Sequence, residues 1–193
     1  EQYEDGIAYI SIMEFDEITL TQFEEALAKA KEADMKGLVL DLRDNPGGNL
    51  DTVNEIARLL LPKGLIVYTE DKYGERVEYK CDGKNEIQVP LVVLVNGNSA
   101  SASEILAGAI KKKKKGTILG TTTYGKGIVQ KIMGLEDGSA VKITVSSYFT
   151  PNGINIHKIG VEPDEVLELD VDRYLEDGYD NQLERALEIL RQE

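Results

Sequence analysis

Cysteine and histidine are almost missing from this 193-residue chain, with one of each. Cys81 is alone, so an intrachain disulfide is impossible and a metal site built on cysteines is excluded. His157 is alone too. A multi-histidine zinc site cannot exist, and any Ser-His-Asp or Cys-His arrangement has to use that single ring. The simplest reading makes Cys81 a core or strand residue and His157 a surface-loop residue. No apolar run approaches the length of a membrane span. Basic residues are outnumbered, 22 against 35 acidic ones, for a net charge of −13. A phosphate backbone wants a basic face, so nucleic acid is not an expected partner. Much of the acid lies after Glu162, a local property of the C-terminal stretch.

What is present suits one substantial core, with an ordinary apolar content of 41%. The expected organisation is a core over residues 1–170 and an acidic segment with a short helix over 171–193. The opening Glu1-Gln2-Tyr3-Glu4-Asp5 reads as the interior of a longer, exported polypeptide.

Ile7-Ala8-Tyr9-Ile10-Ser11-Ile12 is rich in β-formers and reads as a strand. Thr21-Gln22-Phe23-Glu24 fits a capping box, and Phe23, Ala26, Leu27 and Ala30 give the following helix an apolar stripe. Leu38-Val39-Leu40-Asp41-Leu42 reads as a buried strand running into the turn Arg43-Asp44-Asn45-Pro46-Gly47-Gly48. A helix with Val53, Ile56, Ala57 and Leu60 on one face follows, stopped by Pro62 and Gly64. Leu91-Val92-Val93-Leu94-Val95 repeats the design: a buried strand, a turn of small residues, then a helix carrying Ile105, Leu106, Ala109 and Ile110. Two such units in series predict a parallel sheet with crossover helices. Both turns then lie beyond the C-terminal ends of their strands, where such sheets bind ligands. That brings Gly47 and Ser101 within reach of one cleft.

Residues 65–69 and 76–80 read as a hairpin, as do 128–133 and 140–149. The run Lys111 to Lys115 ends the serine helix, where cations are favoured and solvated. Thr117-Ile118-Leu119-Gly120 is a short strand. Residues 162–180 show little apolar periodicity. Leu183, Ala186, Leu187 and Leu190 mark a last short helix.

The serines of Ser99-Ala100-Ser101-Ala102-Ser103 occupy a strand-to-helix turn. The first turn of a helix has N–H groups without intrahelical acceptors, so a nucleophile placed there has the start of an oxyanion hole beside it. Ser101-Ala102-Ser103-Glu104 also fits a plain capping box, and taken alone such a stretch is more often a cap than a catalytic site. A second group has to tip the balance. Lys126 lies between Gly125 and Gly127 in a loop, and glycines there permit close backbone approach. An amine becomes a general base when desolvation lowers its pKa, and a serine hydroxyl is the obvious proton donor.

At these residues the chain resembles the carboxyl-terminal processing peptidases, also called tail-specific proteases, the S41 class. Ser101-Ala102-Ser103-Glu104 and Tyr124-Gly125-Lys126-Gly127 with Gln130 look like that family's active-site motifs. The family's serine precedes its lysine by 25 positions, and 126 − 101 = 25 here. Its glutamine lies four after the lysine, and 130 − 126 = 4. Asp41-Leu42-Arg43-Asp44-Asn45-Pro46-Gly47-Gly48, Tyr148-Phe149-Thr150-Pro151-Asn152-Gly153 and Gly160-Val161-Glu162-Pro163-Asp164 resemble further family segments. The likeness runs from about Gly6 to Leu169.

The resemblance implies an α/β fold, a crotonase-like (ClpP/crotonase) core of strand-turn-helix units with additional β-hairpins. It implies Ser101 as nucleophile and Lys126 as general base, with the N–H groups of Gly47 and Ala102 as oxyanion hole. Gln130 would orient Lys126, and Glu104 would be an auxiliary polar residue near the dyad. No metal or organic cofactor is implied. The implied substrates are unfolded or flexible polypeptides, cut near the C-terminus, in an extracytoplasmic setting. Family members usually carry a PDZ domain before this core, so a longer form carrying one is expected. Ile154 departs from the basic residue often found after the Thr-Pro-x-Gly turn. Two rival readings remain: a non-catalytic module binding peptides or lipid-like ligands on the same fold, and an acyl-CoA enzyme of the wider crotonase fold. Retention of both Ser101 and Lys126 ranks the first below the peptidase, and no CoA-pocket signal favours the second.

Overall fold

The computed structural model describes residues 5–192. Of the opening acidic stretch, all but Asp5 lies outside the described residues. The sheet that carries the site runs in the order β1 (Ile7–Ser11), β2 (Gly37–Asp41), β5 (Leu91–Val95), β6 (Thr117–Gly120), β9 (Glu165–Val166). Every pairing in it is parallel. The helices α1 (Thr19–Glu32), α2 (Leu50–Leu60) and α3 (Ala102–Lys113) cover one face, and α5 (Asn181–Leu190) covers the other. The class is the α/β class expected from the sequence.

Alternate strand residues divide between these faces. Leu38, Leu40, Leu91, Val93, Val95 and Ile118 pack toward α1–α3 with Phe23, Leu27, Ile56, Leu60, Leu106 and Ile110. Val39, Val92, Leu94 and Leu119 pack toward Ala186, Leu187 and Leu190 of α5. Burial on both sides is why β2 and β5 read as unbroken apolar runs rather than alternating ones. It also makes α5 part of the sheet's packing, although the sequence sets residues 171–193 apart from the core.

A second, antiparallel sheet has the order β4 (Arg76–Cys81), β3 (Gly64–Asp71), β8 (Ala140–Phe149), β7 (Ile128–Gly134). These are the two hairpins expected, joined through β3 and β8. β7 is an edge strand, and a register shift between Val129 and Gln130 interrupts its pairing with β8.

Two helix expectations are corrected. Thr21-Gln22-Phe23-Glu24 does not open α1, which starts at Thr19. Asp16 Oδ1 accepts the N–H groups of Ile18 and Thr19, at 3.1 and 2.9 Å, and the Thr19 hydroxyl at 2.6 Å. An upstream carboxylate therefore serves the orphan donors, and Thr21 is already inside the helix. The acidic stretch also contains a helix, α4 (Val171–Asp177), capped by Asp170 and ended by Gly178 at φ 76°. None of its residues is buried, and its apolar positions, Val171, Tyr174 and Leu175, are all exposed; three such residues in a seven-residue helix are too short a pattern to stand out in the sequence.

Candidate active site

β2 and β5 are neighbours, with Asp41 opposite Leu94, so the turns that follow them lie side by side. Several hydrogen bonds fasten one turn to the other. The Leu42 N–H reaches Leu94 O at 2.9 Å, and the Ala100 N–H reaches Asn45 O at 3.0 Å. Asn45 is fully buried and also donates from Nδ2 to Ile12 O at 2.7 Å. Gly47, at φ 106°, touches the serine turn closely: a Cβ there would stand 2.7 Å from Ser101 Cβ and 2.9 Å from Ala102 N. Only a residue without a side chain fits that approach in that backbone region.

The three serines have different surroundings. Ser99 is fully buried; its hydroxyl donates to Leu42 O at 2.7 Å and accepts the Asn96 N–H at 3.0 Å. Ser103 is fully buried, and its hydroxyl donates to Asn45 O at 3.0 Å. Both hold the two turns together. Ser101 is partly exposed and is the one of the three that lines a cavity. Its backbone, φ 55° and ψ −112°, lies where non-glycine residues rarely go, a strain on the order of 1–3 kcal/mol.

That cavity, about 560 Å³, is lined by all but one of the candidate site residues: Gly47, Ser101, Ala102, Lys126 and Gln130. Ala102 opens α3, so its N–H has no acceptor within the helix. The Gly47 N–H is engaged, donating to Asn45 Oδ1 at 2.8 Å.

Glu104 is the exception, lying beneath the cavity rather than in its wall, with no exposure. Its Oε2 accepts the N–H groups of Ser101 and Lys126, both at 2.8 Å. Its Oε1 accepts the Gly125 N–H at 2.7 Å and the Thr123 hydroxyl at 2.6 Å. One buried carboxylate thus joins the serine turn to the lysine loop, and its position in the first turn of α3 suits the positive end of the helix dipole. The capping-box reading captured the Ser101 bond alone; the other three donors come from a loop about twenty residues away.

Tyr148, on β8, is a site residue that the sequence does not mark. Its hydroxyl donates to Ser101 O at 3.1 Å and also contacts Lys126 O. Its main-chain N–H donates to Gly127 O at 3.1 Å. Burial, reinforced by the Glu104 charge, raises the phenol's pKa above its ordinary value, so the hydroxyl keeps its proton. Alternation along β8 sets Tyr148 on the face of Lys142, Thr144 and Ser146, opposite Val141, Ile143 and Val145, so the sequence marks neither its burial nor main-chain carbonyls as its partners.

A model of peptidase family S41 matches residues 6–167. A carboxyl-terminal-processing protease of Synechocystis sp. is 40% identical over 187 residues, covering 96% of this chain and 44% of the relative. Carboxyl-terminal-processing peptidase 2, chloroplastic, of Arabidopsis thaliana is 45% identical over 163 residues, covering 83% of this chain and 32% of the relative. Among solved structures, a photosystem II D1 C-terminal processing protease superimposes with a TM-score of 0.78 at 43% identity, covering 84% of this chain and 42% of that one. The chain spans less than half the length of each of these proteins.

Proposed function

The chain belongs to peptidase family S41, and from that premise we propose that it is the catalytic core of a serine endopeptidase with a Ser101–Lys126 dyad. The carrying observation is the shared cavity: Ser101 and Lys126 face one space that also holds the Ala102 and Gly47 main chain.

In this reading Ser101 Oγ attacks the scissile carbonyl carbon while Lys126 Nζ takes the hydroxyl proton. The carbonyl oxygen becomes an oxyanion facing the Ala102 N–H. The Gly47 N–H joins it by sharing or leaving its bond to Asn45 Oδ1. Lys126 then gives its proton to the leaving amine as the C–N bond breaks, leaving an acyl-enzyme on Ser101. Water, deprotonated by Lys126, attacks the ester carbonyl, and the proton returns to Ser101 as the acid product departs. Gln130, on the same cavity wall, orients the lysine. The substrates are unfolded or flexible polypeptides cut near the C-terminus, and the setting is extracytoplasmic.

The test is hydrolysis of an unfolded protein by the wild type, Ser101→Ala and Lys126→Ala, with the products sequenced. Both variants should lose turnover while keeping the wild-type circular dichroism spectrum. Undiminished cleavage by folded Ser101→Ala would falsify the dyad. A wild type that binds the polypeptide and never cuts it would favour the non-catalytic module.

A further inference from the structure

We propose that Tyr148 is a positioning residue for the dyad, holding the Ser101 and Lys126 main chains together from the carbonyl side as Glu104 does from the amide side. The inference rests on the Ser101–Lys126 reading above. Its basis is a convergence of main-chain groups: the N–H groups of Ser101 and Lys126 meet on Glu104 Oε2. Their C=O groups meet on Tyr148 Oη. Two residues distant in sequence are thus fastened by both of their peptide groups to the same two side chains. A lysine amine at the end of four rotatable bonds points usefully at a hydroxyl only if the two backbones keep a fixed separation.

The clamp is anchored in the second sheet. Tyr148 is 2% exposed and belongs to β8, which pairs with β3 on one side and β7 on the other. Its own N–H takes Gly127 O, so β8 holds the lysine loop at two successive residues. A phenol has one proton, and both carbonyls draw on it as a three-centre bond. That arrangement works only with the neutral phenol. The Ser101 carbonyl also accepts the N–H groups of Glu104 and Ile105, each at 3.0 Å. Tyr148 therefore adds a tie to a backbone held in an unfavourable conformation. Its hydroxyl contacts these carbonyls although the residue lines the cavity. It acts through Ser101 and Lys126, not on the substrate.

The experiment compares wild type, Ser101→Ala, Tyr148→Phe and a protein carrying p-aminophenylalanine at 148. Each is assayed for kcat and KM on a peptide reporter and for acylation by a fluorophosphonate, with the labelled residue located by mass spectrometry. Rates are normalised to folded protein by near-ultraviolet circular dichroism. In Tyr148→Phe, kcat and the acylation rate should fall by roughly 10- to 10²-fold with KM little changed, the cost of an ångström-scale misplacement. The aminophenylalanine protein, which restores a donor at the para position, should recover much of the loss. A folded Tyr148→Phe with wild-type kcat and acylation, or no recovery by the folded aminophenylalanine protein, overturns the inference and leaves the dyad standing. Hydrolysis or labelling that persists in Ser101→Ala removes the dyad, and this inference with it.

Discussion

Arg43 Nη2 stands 2.8 Å from Asp180 Oδ2, so the turn just past the end of β2 is tied to the N-cap of the last helix. The same guanidinium lies 2.6 Å from Asp41 Oδ2 and donates to Gln182 Oε1 at 3.0 Å. Asp41 in turn accepts the Tyr9 hydroxyl at 2.8 Å. All three charged side chains are at most 13% exposed. The arginine therefore links the turn before Gly47 to the helix that covers the far face of the parallel sheet. Removing one member of such a cluster leaves the others buried without a counter-charge, at a cost of about 3–5 kcal/mol. Arg43→Ala should lower stability by that amount in urea unfolding. A loss below about 1 kcal/mol would mean that Asp41 and Asp180 are solvated well enough without the arginine.

The serines at 99 and 103 are structural by their bonds, which yields a contrast with 101. Ser99→Ala and Ser103→Ala each remove one of two donors from a buried carbonyl, Leu42 O and Asn45 O, and each should cost about 0.5–1.5 kcal/mol while turnover per folded molecule survives. Ser101→Ala should do the reverse, losing turnover with stability unchanged or raised. Urea midpoints measured beside hydrolysis rates check the pattern; an inactive but fully stable Ser103→Ala would contradict it.

Gly47 should tolerate no side chain. A Cβ there meets Ala100 O and Ser101 Cβ at 2.7 Å, and the φ of 106° adds strain. Gly47→Ala should lower turnover per folded molecule by at least ~10²-fold, the scale of one lost oxyanion donor. Near-normal turnover in the folded variant would remove this turn from the catalytic machinery.

Stability should fall in alkali, beginning above pH ~10, where unfolded tyrosines start to ionise. Tyr9 and Tyr148 both have their pKa raised, chiefly by burial, with the Asp41 charge adding to the first and Glu104 to the second. Their folded forms therefore hold protons that the unfolded chain gives up. The stabilisation is complete below the unfolded pKa and drains as pH rises toward the folded one. Thermal midpoints from pH 8 to 11.5 should decline more gently in Tyr9→Phe and Tyr148→Phe than in the wild type. Equal slopes would show that neither phenol is held protonated by the fold.

The strands that carry the site were legible because burial on both faces writes itself as apolar runs at 38–42 and 91–95. The rule that the turns of a parallel sheet gather beyond the C-terminal ends of its strands is enough to place Gly47 and Ser101 within reach of one cleft. The start of α1 was not legible, since Asp16 acts from outside the periodic segment. The apolar stripe of α5 was visible but not the face it covers, because a stripe names no partner. At the site, capping-box spacing showed one of the four hydrogen bonds Glu104 accepts. Tyr148 showed none, because an acceptor carbonyl belongs to every residue and leaves no mark in a sequence.

The carboxylate and the phenol grip peptide groups, which every amino acid except proline carries alike at 101 and 126. The site is therefore a socket whose shape is independent of the group plugged into it. Ser101→Cys should inherit the same placement, and its thiol should be alkylated by iodoacetamide faster than the buried Cys81. The side chain at 101 is in that sense an exchangeable part, and the surrounding main chain is the fixture.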